Sequence, residues 1–324
     1  MTDHKLVLNV PEELQDLRID IFCSRKVADR TRSYFTKLAS TGHIFVDGKC
    51  VKPSFKIRTG MRVEVELVAP PPIEAVPEDI KLDIVHEDDR IVIVEKPAGM
   101  VVHPAAGNYE GTLVNALLHH FGKQIGEIID PVRPGLVHRL DKGTSGLLVV
   151  AKDERALAYL QKELKDRRIK RTYLALVWGD LAIDSGTIDL PVGRSERDRK
   201  KMTVYPRHGK HAITHYSVEK RFGLATAAKI RLETGRTHQI RVHMSHFGHP
   251  VVGDPVYGGR TTYLRRLTGK DKTTAVALLG ILQRQALHAA ELELPHPDDG
   301  RVLKFNSKLP DDMGSALQYL MRII

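Results

Sequence analysis

The chain has little of what builds extracellular or membrane scaffolds. Its 324 residues hold only two cysteines, Cys23 and Cys50. That is too few for a disulfide framework, and they lack the CxxC spacing of a zinc or redox motif. Reduced thiols are the expectation. Long apolar runs are also missing. The longest, Ala275 to Leu282, is far below the roughly 20 residues that cross a bilayer, and the apolar stretch after Met1 is too short for a secretory signal. These shortages predict a soluble, cytoplasmic protein with no membrane partner. There is no internal repeat or low-complexity tract. Acidic residues are outnumbered, with 40 Asp and Glu against 50 Lys and Arg, a formal net charge of +10 and a pI near 9.5. A surplus of that sign favours a polyanionic partner, nucleic acid first among them.

What is present is an ordinary globular composition, 42% hydrophobic and 28% charged, with length for one large domain and a small one. The seam falls at Ala69-Pro70-Pro71-Pro72-Ile73-Glu74-Ala75-Val76-Pro77, because clustered prolines continue neither a helix nor a central strand. Boundaries of 14–68, a linker at 69–79 and a second domain at 80–324 follow. In the first part, Leu14 to Leu38 reads as helical, with Leu17, Ile21 and Phe22 on one face. Asp47-Gly48 between apolar flanks predicts a hairpin. Arg62 to Leu67 alternates as a half-buried strand does. After the seam, Ile91 to Val94, Thr172 to Trp178 and Lys229 to Leu232 read as strands. Helices are predicted over Thr112 to Phe121 and after Asp153, whose side chain can cap the helix carrying Leu157, Leu160 and Leu164. Many strands with few helices predict an α+β fold around a large mixed or antiparallel sheet.

The most informative stretch is His138-Arg139-Leu140-Asp141-Lys142-Gly143-Thr144-Ser145-Gly146-Leu147. It sets one carboxylate between a basic pair and a glycine-bounded turn, directly before an apolar strand. Spacing alone leaves two readings open: an ionised Asp held for chemistry on a polyanion, or a turn Asp bonding its own backbone. The segment resembles the active-site signature of the RluA/RluD-type pseudouridine synthases, which isomerise uridine in ribosomal or transfer RNA. Further blocks in the family's order extend the resemblance from about residue 80 to 300. They are Glu95-Lys96-Pro97-Ala98-Gly99, Arg171-Thr172-Tyr173-Leu174-Ala175, Leu232-Glu233-Thr234-Gly235-Arg236-Thr237-His238-Gln239-Ile240-Arg241, Gly253-Asp254-Pro255-Val256-Tyr257-Gly258 and Gln285-Ala286-Leu287-His288-Ala289. The first part resembles the S-four-type (alpha-L) RNA-binding module through Leu17-Arg18-Ile19-Asp20, Thr31-Arg32-Ser33, Gly42 to Lys49 and Gly60-Met61-Arg62-Val63.

The resemblance implies roles. Asp141 is the catalytic carboxylate, Arg241 its basic partner and Tyr173 the active-site aromatic. Arg139 is implied in flipping the target nucleotide, with a plain phosphate contact as the other reading. Arg25, Lys26, Arg32 and Lys37 of the module offer cations to RNA phosphates. So do two basic stretches, Lys162 to Arg171 and Arg194 to Lys210, the second holding Lys200 and Lys201. A solvated charged face, with Glu163 and Arg167 paired at i,i+4, is the alternative for these. On a helix starting at Thr237, Ile240, Met244 and Phe247 share the buried face and Arg241 lies to one side. Histidines 238, 243, 246 and 249 lack an acid or Cys that completes a metal site, and no cofactor is expected for a reaction that conserves its atoms. The expected substrate is large-subunit ribosomal RNA, the stem-loop bridging the subunits being one candidate. Transfer RNA, another ribosomal site, a non-catalytic assembly factor and a nucleoside hydrolase are the alternatives. A monomer is the default.

Overall fold

The computed structural model describes residues 4–27, 32–67, 75–105, 107–122, 134–198 and 201–323. Two compact units divide the chain, Met1–Pro72 and Ile73–Ile324. Of the expected linker, only residues from Ala75 onward are described.

The small unit runs β1 (His4–Asn9), a 3-10 turn (Glu12–Leu14), α1 (Ile19–Lys26), α2 (Arg32–Ser40), β2 (Ile44–Val46), β3 (Lys49–Cys50) and β4 (Arg62–Leu67). Its antiparallel sheet has the order β1-β4-β2-β3. Strand β1 lies ahead of the expected start at residue 14 and pairs with β4 along its whole length. Asp47 and Gly48 both have positive φ, 48° and 77°, as the expected two-residue hairpin requires. The single helix expected over Leu14 to Leu38 is two. Leu14 ends the 3-10 turn, and α1 begins only after Arg18, whose backbone is extended. The inward face of α1 is Ile19, Phe22 and Cys23, at i, i+3 and i+4, so Ile21 is displaced from it. These pack on Phe35 and Leu38 of α2 and on Ile44, Val63 and Val65 of the sheet. Fully burying a side chain such as Phe22 contributes about 2–3 kcal/mol. Asp20, also buried, accepts from Arg18 at 3.1 Å, Arg32 at 3.0 Å and Thr36 at 3.2 Å, and so ties the two helices together. Burial alone would raise its pKa, but these bonds together lower it.

The large unit holds a nine-stranded sheet. Its strands are β5 (Ile84–Glu87), β6 (Ile91–Lys96), β7 (Ser145–Ala151), β8 (Lys170–Trp178), β9 (Ser185–Asp189), β12 (Ile213–Arg221), β13 (Ala225–Leu232), β14 (Leu287–Pro295) and β15 (Val302–Asn306). The order is β5-β6-β7-β14-β8-β13-β12-β9, with β15 against β14. Every pairing is antiparallel except β7 with β14, so the sheet is mixed and the fold is α+β. A short hairpin, β10 (Gly193–Arg194) and β11 (Met202–Thr203), stands apart from it. The helices are α3 (Leu113–Phe121), α4 (Glu154–Lys165), α5 (Gln239–His246), α6 (Thr261–Leu264), α7 (Gly269–Ile281) and α8 (Asp311–Ile323). Thr112 caps α3 and Asp153 caps α4, accepting from the Ala156 amide at 2.8 Å.

Strand β7 reads as an unbroken apolar run because both of its faces are covered. Leu147, Val149 and Ala151 join Ala156 and Leu160 of α4. Leu148 and Val150 face the other way, onto Leu113 and Leu117 of α3 and the main core. The parallel contact with β14 depends on Gly146, at φ 111°, where a Cβ would run into the Ala289 backbone. This rigid, doubly buried strand is the base on which the preceding turn, with Asp141, is held.

Candidate active site

Asp141 lies on the turn four residues ahead of β7, its carbonyl accepting from the Thr144 amide at 3.0 Å. Gly143 lets that turn press on Gln285, whose side-chain amide would collide with any Cβ there. The glycines of the motif therefore serve close packing, and packing fixes where the carboxylate points.

Helix α5 brings the partner. Its start is pinned by Gln239, which accepts from the Thr234 hydroxyl at 2.8 Å and the Arg236 amide at 2.9 Å. The same side chain donates to Ile213 O at 2.9 Å. His238, just before it, adopts the left-handed conformation, φ 56° and ψ 18°, an uncommon backbone state for a residue with a Cβ. The helix therefore begins at Gln239 rather than Thr237. Ile240 and Met244 are buried as expected, Arg241 beside them is buried too at 4% exposure, and Phe247, one residue past the helix end, is 49% exposed rather than sharing that face. Arg241 donates Nη1 to Asp141 Oδ2 at 2.9 Å, Nε to Asp254 Oδ2 at 2.6 Å and Nη2 to Asp254 Oδ1 at 2.9 Å. Burial works against its charge, but Asp254 and then Asp141 outweigh it and raise its pKa. Asp254 is fully buried and also accepts from the Val256 and Tyr257 amides.

The other Asp141 oxygen faces His238, with Nε2 3.9 Å from Oδ1. His238 Nδ1 meets the Tyr257 hydroxyl at 2.7 Å, and that hydroxyl accepts from the Met202 amide at 2.9 Å. Burial lowers the His238 pKa, Asp141 opposing, so the ring is neutral near pH 7. The Tyr257 ring lies 5.0 Å from the Arg241 guanidinium carbon, a cation–π distance.

Tyr173 comes from β8, 4% exposed, and burial raises its pKa. With Asp141, Arg139, Arg241 and His238 it lines one cleft of about 600 Å³. Arg139 is exposed there. Thus the four residues expected at the site line a single space. Of the expected RNA-contact cations, Lys165, Arg167 and Arg171 line it as well. Arg25, Lys26 and Lys37 are exposed in the small unit, where Arg32 is paired with Asp20. Lys201 is exposed, 3.8 Å from Asp198, and Lys200 lies outside the described residues. The expected Glu163–Arg167 pair is not formed: Glu163 holds Arg168, and Arg167 reaches Glu233. Arg167 has left the helix, with φ 61°, which turns its side chain away from the α4 surface. The four histidines have separate partners: His243 bonds Thr214 and Leu190 O, His249 bonds Trp178 O and His246 faces Tyr205.

Sequence reasoning gave no role to Asp254, Tyr257 or Lys96, although all three sit in quoted motif blocks. Lys96 is fully buried at the end of β6 and donates to Pro97 O at 2.7 Å and Met100 O at 3.0 Å. Burial, helped by the charge of Arg284, brings its pKa down to about 7. The sequence signal is weak, because Lys96 follows Glu95 beyond the apolar run Ile91 to Val94, where charge ordinarily meets solvent.

Residues 90–246 match the RNA pseudouridylate synthase family and residues 17–63 match the S4 domain. The chain belongs to the RNA pseudouridine synthases, enzymes that act on RNA. It is 45% identical, over 94% of its length and 92% of the relative's, to the ribosomal large subunit pseudouridine synthase D of Pseudomonas aeruginosa. Against the protein of the same name from Escherichia coli K12 it is 41% identical over 98% of this chain and 94% of that one. An uncharacterized RNA pseudouridine synthase of Chlorobaculum parvum is 40% identical over 98% of each. Among solved structures, human RNA pseudouridylate synthase domain containing 4 superposes with a TM-score of 0.56 at 26% identity. It covers 74% of this chain and 93% of that chain.

Proposed function

We propose that this enzyme isomerises specific uridines of large-subunit ribosomal RNA, the substrate carried by the names of its relatives. We assign Asp141, Tyr173 and Arg241 to the chemistry. The observation that carries this assignment is the Arg241 Nη1 to Asp141 Oδ2 contact of 2.9 Å inside a cleft walled by further cations. The reaction breaks ribose C1′–N1, turns the uracil and joins C1′ to C5. The C5 proton leaves and N1 gains one, so atoms and electrons balance without an oxidant. Asp141 either attacks C1′ or steadies the electron-poor sugar. Arg241 supplies the counter-charge, and Asp254 keeps it aimed. Tyr173 lies against the uracil face and its hydroxyl serves proton movement. Arg139, exposed at the cleft, takes the place of the nucleotide drawn from its stack, offsetting a cost of a few kcal/mol.

Arg25, Lys26 and Lys37, with Lys200 and Lys201, hold phosphates and so position the RNA without reading it. The RNA-binding module is 14–68, with β1 added to its sheet from ahead of it, and is joined through 69–79 to the catalytic domain at 80–324. The protein works in the cytoplasm as a monomer. Among the described residues no helix is long and apolar enough to cross a membrane.

The test is pseudouridine mapping of total RNA from cells lacking the protein, complemented with wild type or Asp141→Asn. Loss at particular large-subunit positions, restored by wild type alone, is the expected result. Restoration by Asp141→Asn, or loss confined to transfer RNA, would overturn the catalytic or the substrate assignment respectively.

A further inference from the structure

A buried cation of the cleft has no counter-charge among the described residues. Arg171 precedes Tyr173 by two residues on β8, and the alternating burial there puts both side chains on one face. Both line the cleft. Arg171 is 5% exposed, and its Nε finds no hydrogen-bond partner among the described residues. Two carboxylates line the same cleft, and each is engaged elsewhere. Asp141 is held by Arg241, while Glu233 is held by Arg167 and by His215 at 2.7 Å. The chain over Arg171 is Gly235, where a Cβ would stand 2.8 Å from the guanidinium Nη1. Glycine there keeps side-chain bulk off the cation. His138, also on the cleft wall, has an unpartnered buried Nδ1. Burial, helped by the charge of Arg171, lowers its pKa and keeps that imidazole neutral.

A guanidinium stays charged in proteins. One left buried without an anion is costly, whereas the same group filled by a phosphate makes a short, bidentate, charge-assisted contact. We infer that Arg171, with His138 beside it, is the binding site for one backbone phosphate flanking the target uridine. A uracil carbonyl is the weaker candidate, because a neutral acceptor leaves the charge uncompensated. The surrounding surface cations can each be replaced by solvent; Arg171 cannot, so the free enzyme carries an electrostatic deficit that the RNA corrects on entry. This inference rests on the pseudouridine synthase reading of the cleft and assigns how that cleft grips its substrate.

The experiment uses full-length wild type, Arg171→Met and Arg171→Lys. The RNA is a hairpin carrying the uridine located by mapping, either all-phosphodiester or with a single neutral methylphosphonate on either side of that uridine. Binding and turnover are measured over a salt series. Arg171→Met is expected to weaken binding of the native hairpin about 10- to 100-fold. It should also reduce the slope of log affinity against log salt by about one. One of the two methylphosphonates should weaken wild type to a similar extent and leave Arg171→Met nearly unchanged. Unchanged affinity and slope in Arg171→Met, or equal methylphosphonate penalties in both proteins, overturns the inference. If Arg171→Met shows no cooperative melt, Arg171→Lys carries the comparison, and a penalty undiminished from wild type overturns it. Should wild type convert the hairpin while the variants bind as wild type does, this inference alone falls. Should wild type form no pseudouridine in it, the reading beneath falls as well.

Discussion

Arg241 gives two of its guanidinium nitrogens to Asp254 and only one to Asp141. The contact with the proposed catalytic carboxylate is therefore the third arm of a cation whose plane is set elsewhere. Asp254 is fully buried, and its amide donors Val256 and Tyr257 lie in the turn that follows it. Orientation passes from that turn to Asp254, to Arg241 and so to Asp141 Oδ2.

A double-mutant cycle separates the structural from the catalytic part of this chain. Arg241→Ala leaves Asp254 buried without a cation and should cost about 3–5 kcal/mol of stability. Asp254→Ala strands Arg241 in the same way, though Asp141 remains to pair with it. Removing both partners should recover much of that stability in urea denaturation, because neither charge is left alone. Activity should not recover in the double variant, since Asp141 then has no counter-charge. Stability losses that simply add would show that Arg241 and Asp254 do not act as a pair.

Tyr173→Phe tests the hydroxyl apart from the ring. Burial holds the phenol pKa up, so at neutral pH the group is protonated and serves as a donor before it can accept. If that hydroxyl moves the proton between C5 and N1, Tyr173→Phe should lower kcat by about 10²–10⁴ with little change in KM. Tyr173→Leu, which also removes the aromatic face, should raise KM in addition. A Tyr173→Phe enzyme with the full rate would confine the residue to stacking.

Much of this was legible before the fold was seen, and what was not has physical causes. Period-2 and period-3.6 patterns locate β4, α3 and α4, since each has one covered side, and the unbroken apolar run Ile91 to Val94 locates β6, buried on both faces. The break between α1 and α2 was hidden because both carry apolar residues at compatible spacing. The extended backbone at Val27, where α1 ends, and the polar link through Asp20 show how the segment is divided. Asp141, Tyr173 and Arg241 stood out through motif resemblance, and their placement on one cleft wall depends on strand order no local pattern encodes. Asp254 escaped because its importance lies in its hydrogen bonds to Arg241, and His238 because only the fold sets it 3.9 Å from Asp141. The left-handed backbone at His238 starts the helix two residues later than expected, and Phe247 falls past its last turn, where it is exposed.

Lys96 gives the molecule a pH signature with a definite sign. Its ammonium donates to backbone carbonyls in a fully buried place, and burial brings the pKa from 10.5 down to about 7. In the unfolded chain the lysine regains its ordinary value. Between the two pKa values the unfolded state therefore binds more protons than the folded one. Stability from this group must then rise with pH across that window, by up to about 1.4 kcal/mol per pH unit, and level off below it. Lys96→Met removes the titration. The stability of wild type relative to Lys96→Met, from urea melts at pH 7, 8 and 9, should therefore increase steadily with pH. Below pH 6 the difference should be flat, because lysine is protonated in both states. A difference independent of pH from 6 to 9 would mean that Lys96 stays charged when buried. Its three-donor geometry over Pro97, Met100 and Lys142 carbonyls would then be holding a full charge in place.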